Sequence, residues 1–580
     1  MFKNKQILLI VLLLVTSVLF AQERDQDTIK TDVINVIKPY TPTISDAFKV
    51  KETPSLDDET TATKKEIKYN IFSFPVASTF TPAKGKAAVV DKAKKVKLFD
   101  NYATLGVGTY TTILGDVYLN HEIGRGESIS AYVGHHSSQG GIDGVLLDDD
   151  FSDSKINLSY NKRDKNLSWT VEGGFQMQSY NWYGLPTGLM VEPAPIITQQ
   201  AIDTLDVGHS FTNAHIGGDI NFEDQYITSG SVLFRRFGDN QGSGENRFKA
   251  KVVADIPVRD ETVSTTVFFD YLGGSFDRNY YTEEELNYGN FQVGLSPTYQ
   301  LKQDDLTVVL GITATYLNDT EASDSKFFIY PNISASYRLV DDVLIAFGSI
   351  KGGLTQNSYY DFATENAFVS PTLFIAPTDQ KYNASVGLKG KLSNTMSYSI
   401  NGRYISENNK ALFVNNDITT SNEDYTFGNS FGLTYDDVTT FSVAGEINVD
   451  VNRNFTLGIK GEYFAYDTKN QAEAWNLPDM KASLFVDYQI TEQWFAGANM
   501  FFVGERKDIF NVPNLITPMS AIVTLDSYFD ANVHVGYHVT DRLSVFMKGN
   551  NLVGEEYTKW QNTPVQGIQF LAGATYKFDF

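Results

Sequence analysis

Cysteine is absent from all 580 residues of the chain. This excludes structural disulfides, thiolate metal sites and lipidation at an N-terminal cysteine. Basic residues are outnumbered by acidic ones: the chain has 47 Lys and Arg and 70 Asp and Glu, which gives a formal net charge of −23. So acidic a chain is a poor partner for nucleic acid. The composition therefore favours neither a disulfide scaffold nor a nucleic-acid-binding protein.

Long apolar runs are missing after the first twenty residues. Lys3 and Lys5 precede a mostly apolar run, Ile7 to Phe20, and Ala21-Gln22 is a suitable cleavage point. This is the pattern of a secretory signal peptide, which predicts that residues 1–21 are removed. No later stretch is long enough for a membrane-spanning helix, so any membrane that the mature chain crosses must be crossed by strands.

Aromatic residues are abundant, with 32 Tyr and 40 Phe, and the chain ends on one of them. From Gly567 to Phe580 the side chains alternate with the period of a β-strand. Gln569, Leu571, Gly573, Thr575, Lys577 and Asp579 form the mostly polar or small face, and the opposite face is apolar: Ile568, Phe570, Ala572, Ala574, Tyr576, Phe578 and Phe580. One face for lipid and one for a lumen is typical of a transmembrane β-barrel. We interpret Tyr576, Phe578 and Phe580 as the C-terminal signal for insertion by the barrel assembly machinery.

Short polar turns and longer loops alternate from about Asn101 onward. Gly, Asn and Asp supply the backbone conformations of tight hairpins. The four longest loops are predicted at about 178–209, 355–379, 409–438 and 505–526. Ten short turns are centred near these residues: Arg125, Asp164, Asp224, Asp260, Asp304, Asp341, Asn394, Arg453, Glu492 and Asp541.

Ten hairpins with a first strand at Asn101–Thr111 and a closing strand at Gly567–Phe580 give about 22 strands. In outer-membrane barrels the short turns face the periplasm and the long loops face outward. The predicted fold class is therefore all-β: a transmembrane antiparallel barrel of about 22 strands over residues 100–580. A short Pro-rich N-terminal segment, residues 22–99, precedes it, and the expected location is the cell outer membrane.

The stretch from Ser527 to Tyr557 resembles the penultimate hairpin of TonB-dependent receptors. Tyr528-Phe529-Asp530 opens it, Val539 to Arg542 turns it, and Asn551-Leu552 with Tyr557 closes it. The resemblance implies a 22-stranded barrel and transport or binding of a solute at the outer membrane. Those receptors carry a plug domain ahead of the barrel. Residues 22–99 do not follow the plug pattern, because they contain only one glycine, Gly85.

The segment 22–99 is rich in proline, which blocks long helices and central strands. Its run Thr31 to Ile37 is short and β-prone, like the segment by which the receptors contact TonB through strand addition. We predict a contact with TonB or another periplasmic or outer-membrane protein at four residues: Val33, Ile34, Val36 and Ile37. A second set of apolar side chains is predicted to dock inside the barrel, on its periplasmic rim or on a partner: Phe72, Phe74, Val76 and Phe80.

Catalytic and metal motifs are weak. The adjacent His135 and His136, placed after a strand, point to opposite sides and are not expected to share a metal. Asp148-Asp149-Asp150 lacks the spacing of a calcium loop, and His534 and His538 are read as pore-lining polar residues. Ser430 lies in a Gly-x-Ser-x-Gly match, but a strand follows it where a nucleophile elbow needs a helix. No cofactor, metal or enzymatic activity is predicted.

A barrel of this size encloses a wide lumen, and natural examples are plugged. Residues 22–99, inward-folded loops or a partner protein would have to close it. The first functional hypothesis is a receptor-like barrel that binds or transports a solute. The alternative is a scaffold that transports nothing and whose barrel and N-terminal arm hold partners in an assembly or secretion complex.

Overall fold

The computed structural model describes residues 98–186, 202–223, 225–419, 423–452, 454–512 and 519–580. Within these ranges, no helix is long and apolar enough to cross a membrane. Strands dominate, and those of the first half are β1 (Asn101–Gly108), β2 (Ile113–Gly124), β3 (Glu127–Ser138), β4 (Phe151–Arg163), β5 (Leu167–Asn181), β6 (Gly208–Phe222), β7 (Ile227–Asp239), β8 (Gly244–Val258), β9 (Glu261–Phe276), β10 (Leu286–Gln303), β11 (Leu306–Asp319), β12 (Asp324–Val340) and β13 (Leu344–Thr355).

One short helix, α1 (Tyr359–Glu365), lies between β13 and the second half of the strands. That half comprises β14 (Thr378–Ser393), β15 (Met396–Asn415), β16 (Phe431–Asn452), β17 (Phe455–Thr468), β18 (Met480–Gln489), β19 (Trp494–Val503), β20 (Arg506–Val512), β21 (Met519–Leu525), β22 (Tyr528–His538), β23 (Leu543–Asn550), β24 (Thr558–Trp560), β25 (Thr563–Pro564) and β26 (Gln569–Phe578).

Twenty-two of these strands form one closed antiparallel sheet, as the sequence predicts. Each barrel strand pairs with its neighbours in chain order, and β19 pairs with β22 and β23 with β26. The first strand closes the barrel by pairing with the last, with Leu105 opposite Ala574. At this seam the hydroxyls of Thr104 and Thr575 are 2.9 Å apart. The β20–β21 and β24–β25 hairpins lie outside the barrel sheet.

All ten predicted short turns fall between the expected strand pairs. Asp304 and Asp341 adopt positive φ values of 50° and 37°, the left-handed conformation that Asp tolerates better than most residues. Both chain ends of the barrel lie on the side of these turns. That side faces the periplasm under the rule for outer-membrane barrels.

The outer wall of the barrel is apolar, as the alternation in the closing strand predicts. Phe570 and Tyr576 are exposed, whereas Leu571 and Thr575 point inward and are buried. Exposed aromatic side chains mark both edges of the apolar band, as in outer-membrane barrels. Tyr337, Tyr488, Trp494 and Tyr576 lie near the periplasmic edge, and Tyr271, Tyr316, Phe327 and Tyr463 lie near the outer edge.

Two loop predictions need correction. Half of the segment 409–438 is strand, because β15 runs to Asn415 and β16 begins at Phe431, which leaves residues 416–430 between the two strands. Leu412 and Phe413 bury their side chains, which extends the strands beyond the apolar band. The segment 505–526 is no plain loop either, because it contains β20 and β21.

Candidate functional site

The described parts of four outer loops pack against one another at the extracellular end of the barrel; we call residues 182–186, 202–207, 356–377, 416–419, 423–430 and 551–568 the loop cover. Tyr183 donates from its hydroxyl to the Pro564 carbonyl at 2.8 Å, and Asn429 donates to the Trp182 carbonyl at 2.9 Å. Trp560 packs 5.1 Å from the Phe413 ring and 5.6 Å from the Phe431 ring, centroid to centroid. The cover therefore joins strands from opposite parts of the chain.

The helix α1 turns inward and packs on the far strands. Ser358 caps its first turn by accepting from the Asp361 amide at 3.1 Å. Tyr359, which is fully buried, packs edge-to-face on Phe237 and Phe276. Its hydroxyl donates to Asp239 at 2.7 Å. Loop 356–377 thus reaches across part of the mouth from β13 to β7 and β9.

Charged side chains, most of them buried, hold this loop in place. Arg247 makes a two-pronged ion pair with Asp270, at 2.8 and 3.0 Å, and reaches Asp361 of α1 at 3.0 Å. Glu245 accepts from the Tyr359 amide at 2.6 Å and from the Tyr288 hydroxyl at 2.9 Å. Charge-assisted hydrogen bonds of this geometry are strong. The Arg247–Asp270 pair is mostly removed from water, whereas the Asp361 side chain is half exposed. We call Glu245, Arg247, Asp270 and Asp361 the loop lock.

The strand β20 presents two different faces. Lys507 and Glu505, the residue before the strand, form a partly exposed ion pair at 2.5 Å. Arg506 and Asp508 are buried, and Arg506 donates to the carbonyls of Thr558 and Asp526 at 3.0 and 3.3 Å. Burial raises the pKa of Asp508 to about 7, although it accepts from the amides of Asn415 and Ile509. Arg506 therefore ties the β20–β21 hairpin to the loop cover.

A cavity of about 460 Å³ opens beside this hairpin. It lies between the outer end of β17, loop 469–479 and the start of β20. Carboxylates and two aromatic rings line it, at Phe464, Tyr466, Asp467, Glu473, Asp479 and Glu505. Its volume falls in the range of small-molecule sites. We call it the rim pocket.

The lumen wall below the cover is polar and accessible to water. Glu172, Asp219, Lys251 and Lys351 alternate with lipid-facing residues on their strands, so they point inward, and all four are exposed. Both signs of charge are present. The wall can therefore be wetted and is suited to a polar solute.

The residues predicted from sequence are only partly placed. Val33, Ile34, Val36, Ile37, Phe72, Phe74, Val76 and Phe80 lie outside the described residues. Tyr576, Phe578 and Phe580 lie at the periplasmic end of the barrel. The Tyr576 and Phe578 rings stack at 6.0 Å, and Phe580 meets Phe578 edge-on at 5.6 Å.

The histidine and aspartate motifs are structural within the described ranges. His135 and His136 lie inside β3, not after a strand, and on opposite faces: His135 bonds Ser154 at 2.8 Å, and His136 packs on Phe151. Asp149 accepts from the Ile142 amide at 3.0 Å, and Asp150 accepts from Asn181 at 2.9 Å. No group of three His, Cys, Asp or Glu among the described residues could hold a metal ion.

Ser430 is also structural. It is fully buried, donates to the Tyr425 carbonyl at 2.6 Å and accepts from Asn416 at 2.8 Å. The following residue begins β16, as the sequence predicts. By contrast, the loop lock is not predicted from the sequence. The one local signal was Ser358-Tyr359-Tyr360-Asp361, a helix-start pattern.

Comparison with known proteins places the fold. The family model described as "TonB dependent receptor-like, beta-barrel" matches residues 96–552. No curated protein sequence matches the chain significantly. Solved structures give matches over most of the chain, but at identities that establish the fold alone.

One similar structure is the pyoverdine outer membrane receptor FpvA from Pseudomonas aeruginosa PAO1 bound to pyoverdine, with TM-score 0.60 and 12% identity over 84% of this chain and 80% of that one. The siderophore receptor PirA from Acinetobacter baumannii has a TM-score of 0.58 and 12% identity, over 84% of this chain and 81% of that one. The ferric-catecholate import receptor Fiu from Escherichia coli K12 has a TM-score of 0.57 and 12% identity, over 83% of this chain and 82% of that one. Because the family model covers most of the sequence and the closed 22-stranded barrel agrees with it, the chain belongs to the TonB-dependent receptor-like β-barrel family, whose members are outer-membrane receptors and transporters rather than enzymes.

Proposed function

We propose that this protein is a gated outer-membrane receptor that binds a small polar solute among its outer loops and admits it to the lumen. The observation that carries the proposal is a water-exposed polar lumen wall beneath a loop cover held by the loop lock. A cover held by a few charged contacts has two discrete states, locked and released. Gating needs such a two-state element.

The N-terminal segment supplies the second half of the proposal. Val33, Ile34, Val36 and Ile37 offer a β-prone run for strand addition by TonB or another periplasmic protein. Phe72, Phe74, Val76 and Phe80 dock in the lumen or on its periplasmic rim as a reduced plug. The lipid-facing wall contacts outer-membrane lipid, and the closing strand contacts the barrel assembly machinery. Family membership supports this arrangement, because the matching family is that of TonB-dependent receptors.

The test is solute flux into liposomes that contain one of four purified forms. These are the mature full-length protein, the Arg247→Gln variant of the loop lock, a form lacking residues 22–99, and the form with both changes. The loop cover and the N-terminal segment are two barriers in series, and a solute passes only when both are open. We therefore expect the liposomes to swell with small sugars only when they contain the doubly altered form. Arg125→Gln, in an exposed periplasmic turn, is the matched control.

The scaffold alternative predicts a different result. If the doubly altered barrel stays impermeable while it remains folded, transport is refuted. Stoichiometric protein partners after mild detergent extraction would then favour the scaffold.

A further inference from the structure

The rim pocket carries an excess of negative charge. Asp467, Glu473 and Asp479 line it and have no ion-pair partner within 4 Å among the described residues. Lys507, the one cation that lines it in the described part of the chain, pairs with Glu505 and donates to Thr524 at 2.8 Å. Lys507 also interacts electrostatically with Glu473 and Asp479, so four lining carboxylates share one cation and the pocket keeps a net negative charge.

An aromatic platform forms one wall of the rim pocket. The rings of Phe464 and Tyr466 stack with centroids 5.9 Å apart and planes 7° apart. The Tyr466 hydroxyl donates to the Pro478 carbonyl at 3.1 Å, which fixes the ring. Aromatic faces attract cations, and ammonium groups over such rings are stabilised in partly desolvated sites. Carboxylates and rings together suit an organic cation.

A bare metal ion fits this pocket poorly. The carboxylates are spread around a cavity of about 460 Å³, and no three of them are grouped closely enough to hold a metal. A flexible molecule with several separated positive charges can reach the carboxylates individually. Size and charge distribution therefore favour an extended organic polycation.

The surrounding outer loops carry the same sign of charge. Carboxylates far outnumber basic residues in their described parts, where the basic residues are Arg278, Lys469, Arg506, Lys507 and Lys559. Arg278 pairs with Glu283 and Glu423, and Lys469 pairs with Asp437. A surface field of one sign raises the local concentration of an oppositely charged solute. The outer face would thus attract a cation toward the rim pocket.

From this geometry we infer that the rim pocket binds a small organic polycation with two or more ammonium groups, of the polyamine class. This rests on the proposed receptor function and names the solute class for it. The carboxylates of Glu473 and Asp479 bind the ammonium groups, and the Phe464–Tyr466 platform contacts the chain between them. Neutral and anionic molecules of the same length are excluded.

The experiment is calorimetric titration of the purified full-length protein with spermidine. Triethylene glycol, a neutral chain of similar length, is the ligand control. The pocket variant is Glu473→Gln with Asp479→Asn, and the matched control is Glu284→Gln with Glu321→Gln, two exposed acids of other outer loops. We expect spermidine affinity to fall at least tenfold in the pocket variant only, and no binding of triethylene glycol.

Equal spermidine binding by all forms, or no binding by the wild type, would overturn the inference. Heat-modifiable migration in gels confirms that every variant has a folded barrel. The outcome is independent of the flux assay. Flux without spermidine binding refutes the solute class and leaves the receptor function intact, whereas binding without flux refutes transport and leaves the site intact.

Discussion

At the scale of single residues, the outer end of the barrel is held by charges that are buried with few partners. Asp508 is fully buried, and burial raises its pKa to about 7 despite two amide donors and the nearby Arg506. Its proton is therefore bound more tightly in the folded hairpin than in the unfolded chain. The stability that this provides is complete below the unfolded pKa and is lost as pH rises through about 7.

Replacing Asp508 by Asn should remove this pH dependence. The amide oxygen keeps an acceptor for Asn415 and Ile509, while the buried charge disappears. We expect the hairpin of the variant to be more stable than wild type above pH 7, by on the order of 1–3 kcal/mol, and similar at pH 5. Hydrogen exchange of residues 506–512, compared between the two proteins at each pH, measures this. A pH-independent difference would show that the carboxyl does not titrate in this range.

Arg247 determines whether α1 stays inside the mouth. Arg247→Gln strands the mostly buried Asp270, which costs about 3–5 kcal/mol, and it also removes the ion-pair partner of the half-exposed Asp361 on α1. Arg247→Gln should therefore expose residues 359–365 to proteases and to hydrogen exchange without unfolding the barrel. Arg247→Lys retains the charge but loses the fork on Asp270, so an intermediate effect is expected. Protection of α1 equal to wild type in both variants would exclude the loop lock as the constraint.

At the scale of elements, barrel closure depends on a close approach of three strands. Gly573 of β26 lies opposite Gly106 of β1 and Phe546 of β23. A Cβ at residue 573 would meet the Leu105 carbonyl oxygen and lie 2.5 Å from the Phe546 ring. Backbone oxygen and a packed ring cannot move away as a flexible side chain can. The seam therefore requires glycine here.

Gly573→Val should impair closure of the barrel. We expect less heat-modifiable, folded protein in membranes and a lower unfolding temperature of what does fold. Gly445→Val is the control, because a Cβ at that position has no neighbour within 4 Å. Equal folded yields for the two variants would contradict the steric argument.

The turns and strands of the barrel could be predicted from the sequence, whereas the contacts of the loop lock could not. Alternation and turn chemistry are local, so they located all ten periplasmic turns and both seam strands. The loop lock is not local: Arg247 and Asp361 are 114 residues apart and meet only once the barrel has closed. The same holds for Trp560 on Phe413. No periodicity in the chain reports such contacts, and only the cap at Ser358 hinted at α1.

At the scale of the whole molecule, the barrel has two unlike zones. Its membrane-spanning part is stabilised by the closed strand ladder and exposes apolar residues to lipid. Its outer end has its own hydrophobic clusters, built from loops and strand extensions. A cover with a separate core can unfold or shift without opening the strand ladder, because local opening follows local contact density. That separation is what gating of a rigid barrel requires.

The terminal aromatic residues of the chain bear on its insertion into the membrane. Phe580 lies beyond β26 and is 77% exposed, so its removal should hardly change the stability of the finished barrel. If the terminal aromatics are read by the assembly machinery, deleting Phe580 should lower folded protein in cells several-fold yet leave refolding into detergent micelles unchanged. Phe570→Ala, on the same lipid face of the same strand, should alter neither by a comparable amount. Parallel losses in cells and micelles would mean that the aromatics act through stability and carry no signal.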